Sequence, residues 1–210
     1  MDEALVHVVD DDPQLRNAMS RLLRSCDLNV KTYESGLDFL NRLPEPGPGC
    51  LILDLSMPKM NGLQLQETLA SCRKNLVVIF VSGKGDIPAS VKAMKAGAID
   101  FLTKPFEDLA LIEAVREAIR RSRQLIAESD LIDKDWAAFH SLTAREKQVC
   151  LLVSQGLLNK QIAGELGTTE KTIKFHRGSV TRKLRANSVA DLVKLVERLR
   201  EAGRIGVEVA

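Results

Sequence analysis

Three carboxylates in a row, Asp10, Asp11 and Asp12, follow the apolar run "LVHVV" at 5–9. A further carboxylate, Asp54, closes "CLIL" (50–53). The hydroxyl of Ser82 closes "LVVIFV" (76–81), and the ammonium of Lys104 comes just after "AIDFL" (98–102). Carboxylates gathered in one place repel one another and are not left unpaired. An all-oxygen set of this kind favours a divalent cation such as Mg²⁺. A cation beside an ammonium is also where a phosphoryl group can sit, bonded by a hydroxyl and by backbone N–H groups. With that charge neutralised, a carboxylate becomes a workable nucleophile toward a phosphate dianion. Asp12, directly before Pro13, reads instead as a helix N-cap with proline at the first helical position.

A second set of residues is suited to binding rather than to bond making. With Ile173 at the core, a helical period puts Val180 and Leu184 on the same face. Lys171, Lys174, Phe175, Gly178, Arg182 and Arg185 then fall on the other. Four basic side chains on one outward stripe, with no acid among them, can neutralise phosphates. Lys174 can reach a guanine edge in a major groove, Phe175 can touch a thymine methyl, and Thr172 is counted with them as a DNA contact.

The elements that must position these residues are legible as patterns. Apolar runs at 5–9, 29–33, 50–53, 76–81 and 98–102 alternate with helical segments carrying Leu15, Met19 and Leu23, then Leu37 and Leu40, Leu63 and Leu69, Val91 and Met94, and Ile112 and Ile119. Such alternation predicts an α/β fold, a five-stranded parallel sheet doubly wound in the flavodoxin-like manner. Ligands of such sheets lie beyond the carboxyl ends of the strands, at the switch in strand order. Asp10, Asp11, Asp54, Ser82 and Lys104 should therefore converge on one edge.

No Gly or Pro occurs from 106 to 155, so a long helix is expected to leave this first part. Trp136 and Phe139 are expected to anchor the next core. Beyond them, Thr143 and Glu146 form a capping box, Gly156 stops that helix, and Ile162, Ala163 and Leu166 point inward on a short one. Gly167 makes a tight turn and Thr169 caps the next helix. Helix, Gly-containing turn, helix is the outline of a DNA-reading motif. The chain is thus divided into a first domain at 1–123, a helical linker at 124–140 and an all-α domain at 141–210.

Composition agrees with two modest soluble domains. The 210 residues are 45% hydrophobic and 28% charged. The start lacks the basic region of a signal peptide, and no apolar run is long enough for a membrane helix, so a cytoplasmic protein without a membrane partner is expected. Cys26, Cys50, Cys72 and Cys150 have no C-x-x-C spacing and read as buried free thiols. Residues 1–123 hold 16 Lys+Arg against 17 Asp+Glu, residues 124–140 hold 1 against 4, and residues 141–210 hold 13 against 7. The small net charge of +2 conceals a basic C-terminal part, which calls for an anionic partner.

Through "VVDDD" (8–12), "LILDLSMPKMNG" (51–62), "FVSGKGD" (80–86) and "AIDFLTKPF" (98–106), residues 1–123 resemble the receiver domain of two-component response regulators. Through "LTAREKQV", "NKQIAGELGTTEKTIKFH" and "VTRKL", the C-terminal part resembles the LuxR-type helix-turn-helix. "SGKGDIPASVKAMKAGAIDFLTKPFE" is especially similar to the FixJ-like group, and the whole sequence is similar to activators of aromatic-hydrocarbon breakdown, such as that of styrene.

These resemblances imply that Asp54 accepts a phosphoryl group from a sensor histidine kinase. Asp10, Asp11, Asp54 and the carbonyl of Ser56 would arrange Mg²⁺, with Asp10 acting through water. Ser82, Lys104 and the N–H groups of Leu55 and Gly83 would hold the phosphoryl oxygens, and a cis Lys104-Pro105 bond would aim the ammonium. Ser82 and Phe101 would form the switch, where many receivers carry Tyr in place of Phe101; Phe101 as ordinary core stays open. The family further implies four C-terminal helices, with 169–184 in the groove of a double-stranded operator, 188–200 available for dimer contacts and Gly178 where many relatives carry a long side chain. The expectation is a homodimer on phosphorylation, through a face around 88–106, and a transcription regulator that is not an enzyme. RNA polymerase is left open as a further partner. Two alternatives remain: an Mg²⁺-dependent phosphohydrolase with Asp54 as nucleophile, disfavoured because its family wants an Asp where Ser56 stands, and a DNA-binding regulator independent of phosphorylation.

Overall fold

The computed structural model describes residues 4–72, 76–83 and 87–206. Five strands, β1 (Leu5–Val9), β2 (Asn29–Tyr33), β3 (Gly49–Asp54), β4 (Val77–Ser82) and β5 (Asp100–Thr103), alternate with α1 (Pro13–Ser25), α2 (Gly36–Asn41), α3 (Gly62–Cys72) and α4 (Ile87–Lys95). The sheet is parallel throughout in the order β2-β1-β3-β4-β5, so the switch in winding falls between β1 and β3. β3 and β4 are buried along their whole length, which is why they read as unbroken apolar runs.

Alternation of side chains across the pleat sorts the core into two layers. Val6, Val8, Cys50, Ile52, Val77, Ile79 and Val81 face Met19 and Leu23 of α1 and Leu111 and Val115 of the helix that follows β5. Val9, Leu51, Leu53, Val78 and Phe80 face Phe39, Leu65, Leu69 and Ala93. One segment departs from the expected inward pattern: on α4 the buried residue is Ala93, while Ile87, Val91 and Met94 are exposed.

The helix after β5, α5 (Asp108–His140), is continuous, as the absence of Gly and Pro predicts. The chain divides into two compact units between Ala127 and Glu128, inside the segment expected to be a linker. The reason is packing. Phe139 is buried in the second core, with Ile132 and Trp136 packed against it. Asp135 and Asp133 pair with Arg198 and Arg204 at 2.6 and 2.7 Å.

The second unit continues with α6 (Ala144–Ser154), α7 (Asn159–Glu165), α8 (Glu170–Leu184) and α9 (Val189–Glu201). Local signals set their ends. Thr143 and Glu146 form the capping box, Gly156 and Gly167 adopt φ of +88° and +61°, and Thr169 caps α8 by accepting from the Thr172 N–H at 3.2 Å. Ile173, Val180 and Leu184 are buried as their spacing requires. Cys50 and Cys150 are buried, with thiol pKa values pushed up to about 12 by desolvation, and Cys26 is half-buried. The Cys72 side chain, like Lys84, Gly85 and Asp86 of the "FVSGKGD" motif, lies outside the described residues. Among the described residues no helix is long and apolar enough to cross a membrane.

Candidate functional site

Parallel pairing brings the ends of β1, β3, β4 and β5 to one edge of the sheet. The Asp10 and Asp54 carboxylates are almost wholly buried there, at 0% and 4% exposure, and Ser82 at 1%. The Lys104 ammonium donates to Asp10 Oδ2 at 2.8 Å and to Asp54 Oδ1 at 2.6 Å. The Lys104-Pro105 peptide bond is cis, and the Lys104 N–H donates to the Ser82 carbonyl at 2.7 Å. Asp12 caps α1, accepting from the Gln14 N–H at 2.8 Å, while its own N–H donates to Asp10 Oδ1 at 2.8 Å. Arg16 of α1, which sequence reasoning passed over, donates to the Asp10 carbonyl six residues earlier.

The charges in this cluster do not balance. Two buried carboxylates share one ammonium. Burial raises the Asp10 pKa, and hydrogen bonds from Lys104 and the Asp12 N–H offset it only in part. Burial alone would lower the Lys104 pKa, but its bonds to Asp10 and Asp54 outweigh that and hold it above the ordinary lysine value. The excess of negative charge and the all-oxygen donors fit a divalent cation. Asp11 is exposed. Among the described residues no three His, Cys, Asp or Glu side chains are arranged as a metal cluster; the ammonium lies between Asp10 and Asp54 instead.

One assignment needs correction. The Leu55 N–H, expected to face a phosphoryl oxygen, is used in the sheet, donating to the Val81 carbonyl at 3.1 Å. The N–H that meets the carboxylate is that of Ser56, at 2.8 Å from Asp54 Oδ2. The β3 pairing pattern consumes Leu55 and frees the next residue but one after Asp54 to turn back. Gly83 follows Ser82 and is exposed. Phe101 is half-buried, its ring stacked at 6.3 Å from that of Phe80. Gly62 is required for close approach: a Cβ there would lie 2.5 Å from the Asp54 carbonyl oxygen and 2.8 Å from the Phe80 ring.

The second set of residues is on α8. Lys171, Lys174, Phe175, Gly178, Arg182 and Arg185 are exposed, Phe175 by 72%. Thr172 is half-buried, its hydroxyl 2.9 Å from that of Thr169, so it serves the N-terminal turn of the helix. His176 is half-buried against the Phe175 ring. A Cβ on Gly178 would meet nothing within 4 Å, so this glycine leaves open surface rather than filling a tight contact.

Residues 6–116 match the family described as the response regulator receiver domain, and residues 140–196 that described as bacterial regulatory proteins, luxR family. The chain is a two-component response regulator. It is 45% identical over 200 residues to the response regulator protein TmoT of Ectopseudomonas mendocina, covering 95% of this chain and 91% of that one. To the transcriptional regulatory protein FixJ of Rhizobium meliloti it is 39% identical over 198 residues, covering 93% and 96%. The solved structure of the response regulator StyR is similar at 43% identity and a TM-score of 0.79, covering 93% of this chain and 99% of that one. The response regulator therefore joins a flavodoxin-like receiver to a LuxR-type helix-turn-helix, the organisation of a DNA-binding transcription regulator whose family works with a histidine kinase.

Proposed function

We propose that this response regulator is switched by phosphorylation of Asp54 and that the switch controls dimerisation and operator binding. The observation that carries the reading is the buried Asp54 carboxylate, held by Lys104 Nζ at 2.6 Å and by the Ser56 N–H at 2.8 Å, beside an equally buried Ser82 hydroxyl. Asp54 attacks the phosphorus of the kinase's phosphohistidine; an O–P bond forms as the N–P bond breaks, and the departing imidazole takes up a proton.

Asp10, Asp11, Asp54 and the Ser56 carbonyl would hold Mg²⁺, which when bound neutralises phosphoryl charge that would otherwise repel the nucleophile. Lys104 is positioned to leave the carboxylates for a phosphoryl oxygen, and the Ser56 and Gly83 N–H groups and the Ser82 hydroxyl supply further donors. Inward movement of Ser82 would let Phe101, which has no hydroxyl to report with, settle deeper against Phe80. The exposed Val91 and Met94 on α4, next to β5, support a dimer face in this region.

On DNA, Lys171, Arg182 and Arg185 would neutralise phosphates while Lys174 and Phe175 read base edges across the space left by Gly178. The LuxR-type domain supports a regulator of transcription, acting in the cytoplasm. Resemblance to regulators of aromatic-hydrocarbon breakdown supports an operon for such catabolism as the target, where contact with RNA polymerase would be the route to activation.

The test is intact-mass and sizing analysis of the wild type and Asp54→Asn after incubation with acetyl phosphate, with and without Mg²⁺. A single Mg²⁺-dependent adduct, lost in Asp54→Asn and accompanied by a shift from monomer to dimer, is the expected result. An adduct that survives Asp54→Asn would overturn the reading.

A further inference from the structure

The basic residues of the second unit are not equivalent. Lys183 Nζ lies 2.7 Å from Glu146 Oε2, and Arg198 and Arg204 are paired with Asp135 and Asp133, so the charge of these three is already neutralised within the unit. The hydrogen bonds of Lys183 and of the Thr143 N–H in turn hold the Glu146 carboxyl below its ordinary pKa.

Arg177 is held in a different way. Its Nη1 donates to Asn159 Oδ1 at 2.7 Å, and both residues are half-buried. The partner is a neutral amide, and among the described residues no carboxylate comes within ion-pair range of Arg177. The guanidinium is tethered by this one hydrogen bond, and among the described residues its remaining donors meet no acceptor. Arg145 also has neutral acceptors, but it is spent on the Leu166 carbonyl, where it closes the end of α7.

Position gives this arrangement a direction. Asn159 is the first residue of α7, and Arg177 lies one turn along α8 from the buried Ile173, on the flank next to the face that carries Lys174 and Gly178. In a helix-turn-helix the first helix crosses the DNA backbone while the second enters the major groove. The seam between the two helices is therefore where a phosphate passes.

We propose that Arg177 contacts a DNA backbone phosphate at the edge of the groove and that Asn159 is the positioning residue that aims it. This rests on α8 being the reading helix of a duplex-binding domain. An Arg aimed in advance loses less side-chain freedom on binding than the exposed lysines of the same helix. Because the contact is to backbone, it strengthens binding to every sequence alike.

A random-sequence duplex is then a sufficient probe. Its affinity for the full chain is measured by fluorescence anisotropy across salt from about 50 to about 200 mM. Arg177→Gln is expected to flatten the slope of log affinity against log salt by about 0.9, and to weaken unrelated duplexes by one common factor. Arg177→Lys should keep the wild-type slope. Asn159→Ala should weaken binding by a smaller factor with the slope unchanged, since the charge remains and only its aim is lost.

An unchanged slope in Arg177→Gln, with a lowered melting temperature, would overturn the proposal and leave the pair as a structural tie between α7 and α8. A loss confined to particular sequences would overturn it in favour of base reading. A wild type that binds no duplex would sink the DNA reading itself, a failure distinguishable because no variant is needed to see it.

Discussion

The two units handle charge in opposite ways. In the receiver, Asp10 and Asp54 are buried around one ammonium, and each carboxylate touches it. On α8, Lys171, Lys174, Arg182 and Arg185 stand exposed and, among the described residues, take part in no ion pair. Buried charges interact strongly at low dielectric, so the receiver can concentrate its chemistry in a few residues. Exposed charges are screened within about 8 Å at physiological salt, so the reading helix must sum many weak contacts. On the proposed reading, one region changes a bond and the other accumulates affinity.

The sharpest break of this comparison is at Asp54. Asp54→Asn should remove the phosphoryl adduct altogether, as read by intact mass, whereas no single substitution on α8 should abolish duplex binding. A graded loss at Asp54, or an all-or-none loss at any one α8 residue, would contradict the contrast.

Next in size is the cost of removing a cation from each region. Lys104→Met leaves two buried carboxylates without their counter-charge and should cost on the order of 3 kcal/mol in urea unfolding with chelator present. Lys171→Met removes an exposed charge and should stay within about 0.5 kcal/mol. Equal costs would show that the buried cluster is no more coupled than the surface.

A similar contrast operates in pH. His7, buried in β1 with Nδ1 at 3.1 Å from the Tyr33 hydroxyl, has a pKa lowered by burial to about 4, with Lys31 adding to the effect. Its ordinary value is 6.5, so the unfolded chain binds a proton at a higher pH than the folded one does. Stability from this group is complete above about pH 6.5 and is lost as pH falls toward 4, by roughly 3 kcal/mol at most. The raised pKa of Asp10 acts in the opposite direction. Comparing urea unfolding of wild type and His7→Asn between those pH values isolates the histidine: the variant should show the shallower loss.

Smaller effects belong to the second unit. Alanine at Lys171, Arg182 or Arg185 should each flatten the salt slope of duplex binding by about 0.9, roughly additively. Thr143→Ala should lower unfolding stability by about 1 kcal/mol through loss of the capping box, without altering that slope.

Much of this was legible because it is local. The strands at 5–9 and 29–33 agree with the apolar runs to the residue, and the caps at Asp12, Thr143 and Thr169 follow from side chains that reach only their own first turn. The convergence of Asp10, Asp54, Ser82 and Lys104 was legible too, since a parallel sheet places all strand ends on one edge. The residues that escaped are those whose partners are distant in sequence. Ser122 is wholly buried and accepts from the Gly49 N–H at 3.1 Å across 73 residues. Gln66 reaches the carbonyls of Ala93 and Ala96. Arg177 finds Asn159 across 18 residues, with no spacing rule to announce it.

Periodicity, capping residues and the order of strand-ending carboxylates thus determined the two domain types, the edge that carries the site and the outward face of α8. Those features depend on interactions within a few residues, or on topology rules that hold for any parallel sheet. Tertiary structure decided which N–H meets the Asp54 carboxylate, that the second unit begins at Glu128 within α5, that Ile87, Val91 and Met94 of α4 face outward, and which basic side chains are already neutralised. These depend on the register of strands and on contacts between helices, where a displacement of one residue exchanges one partner for another.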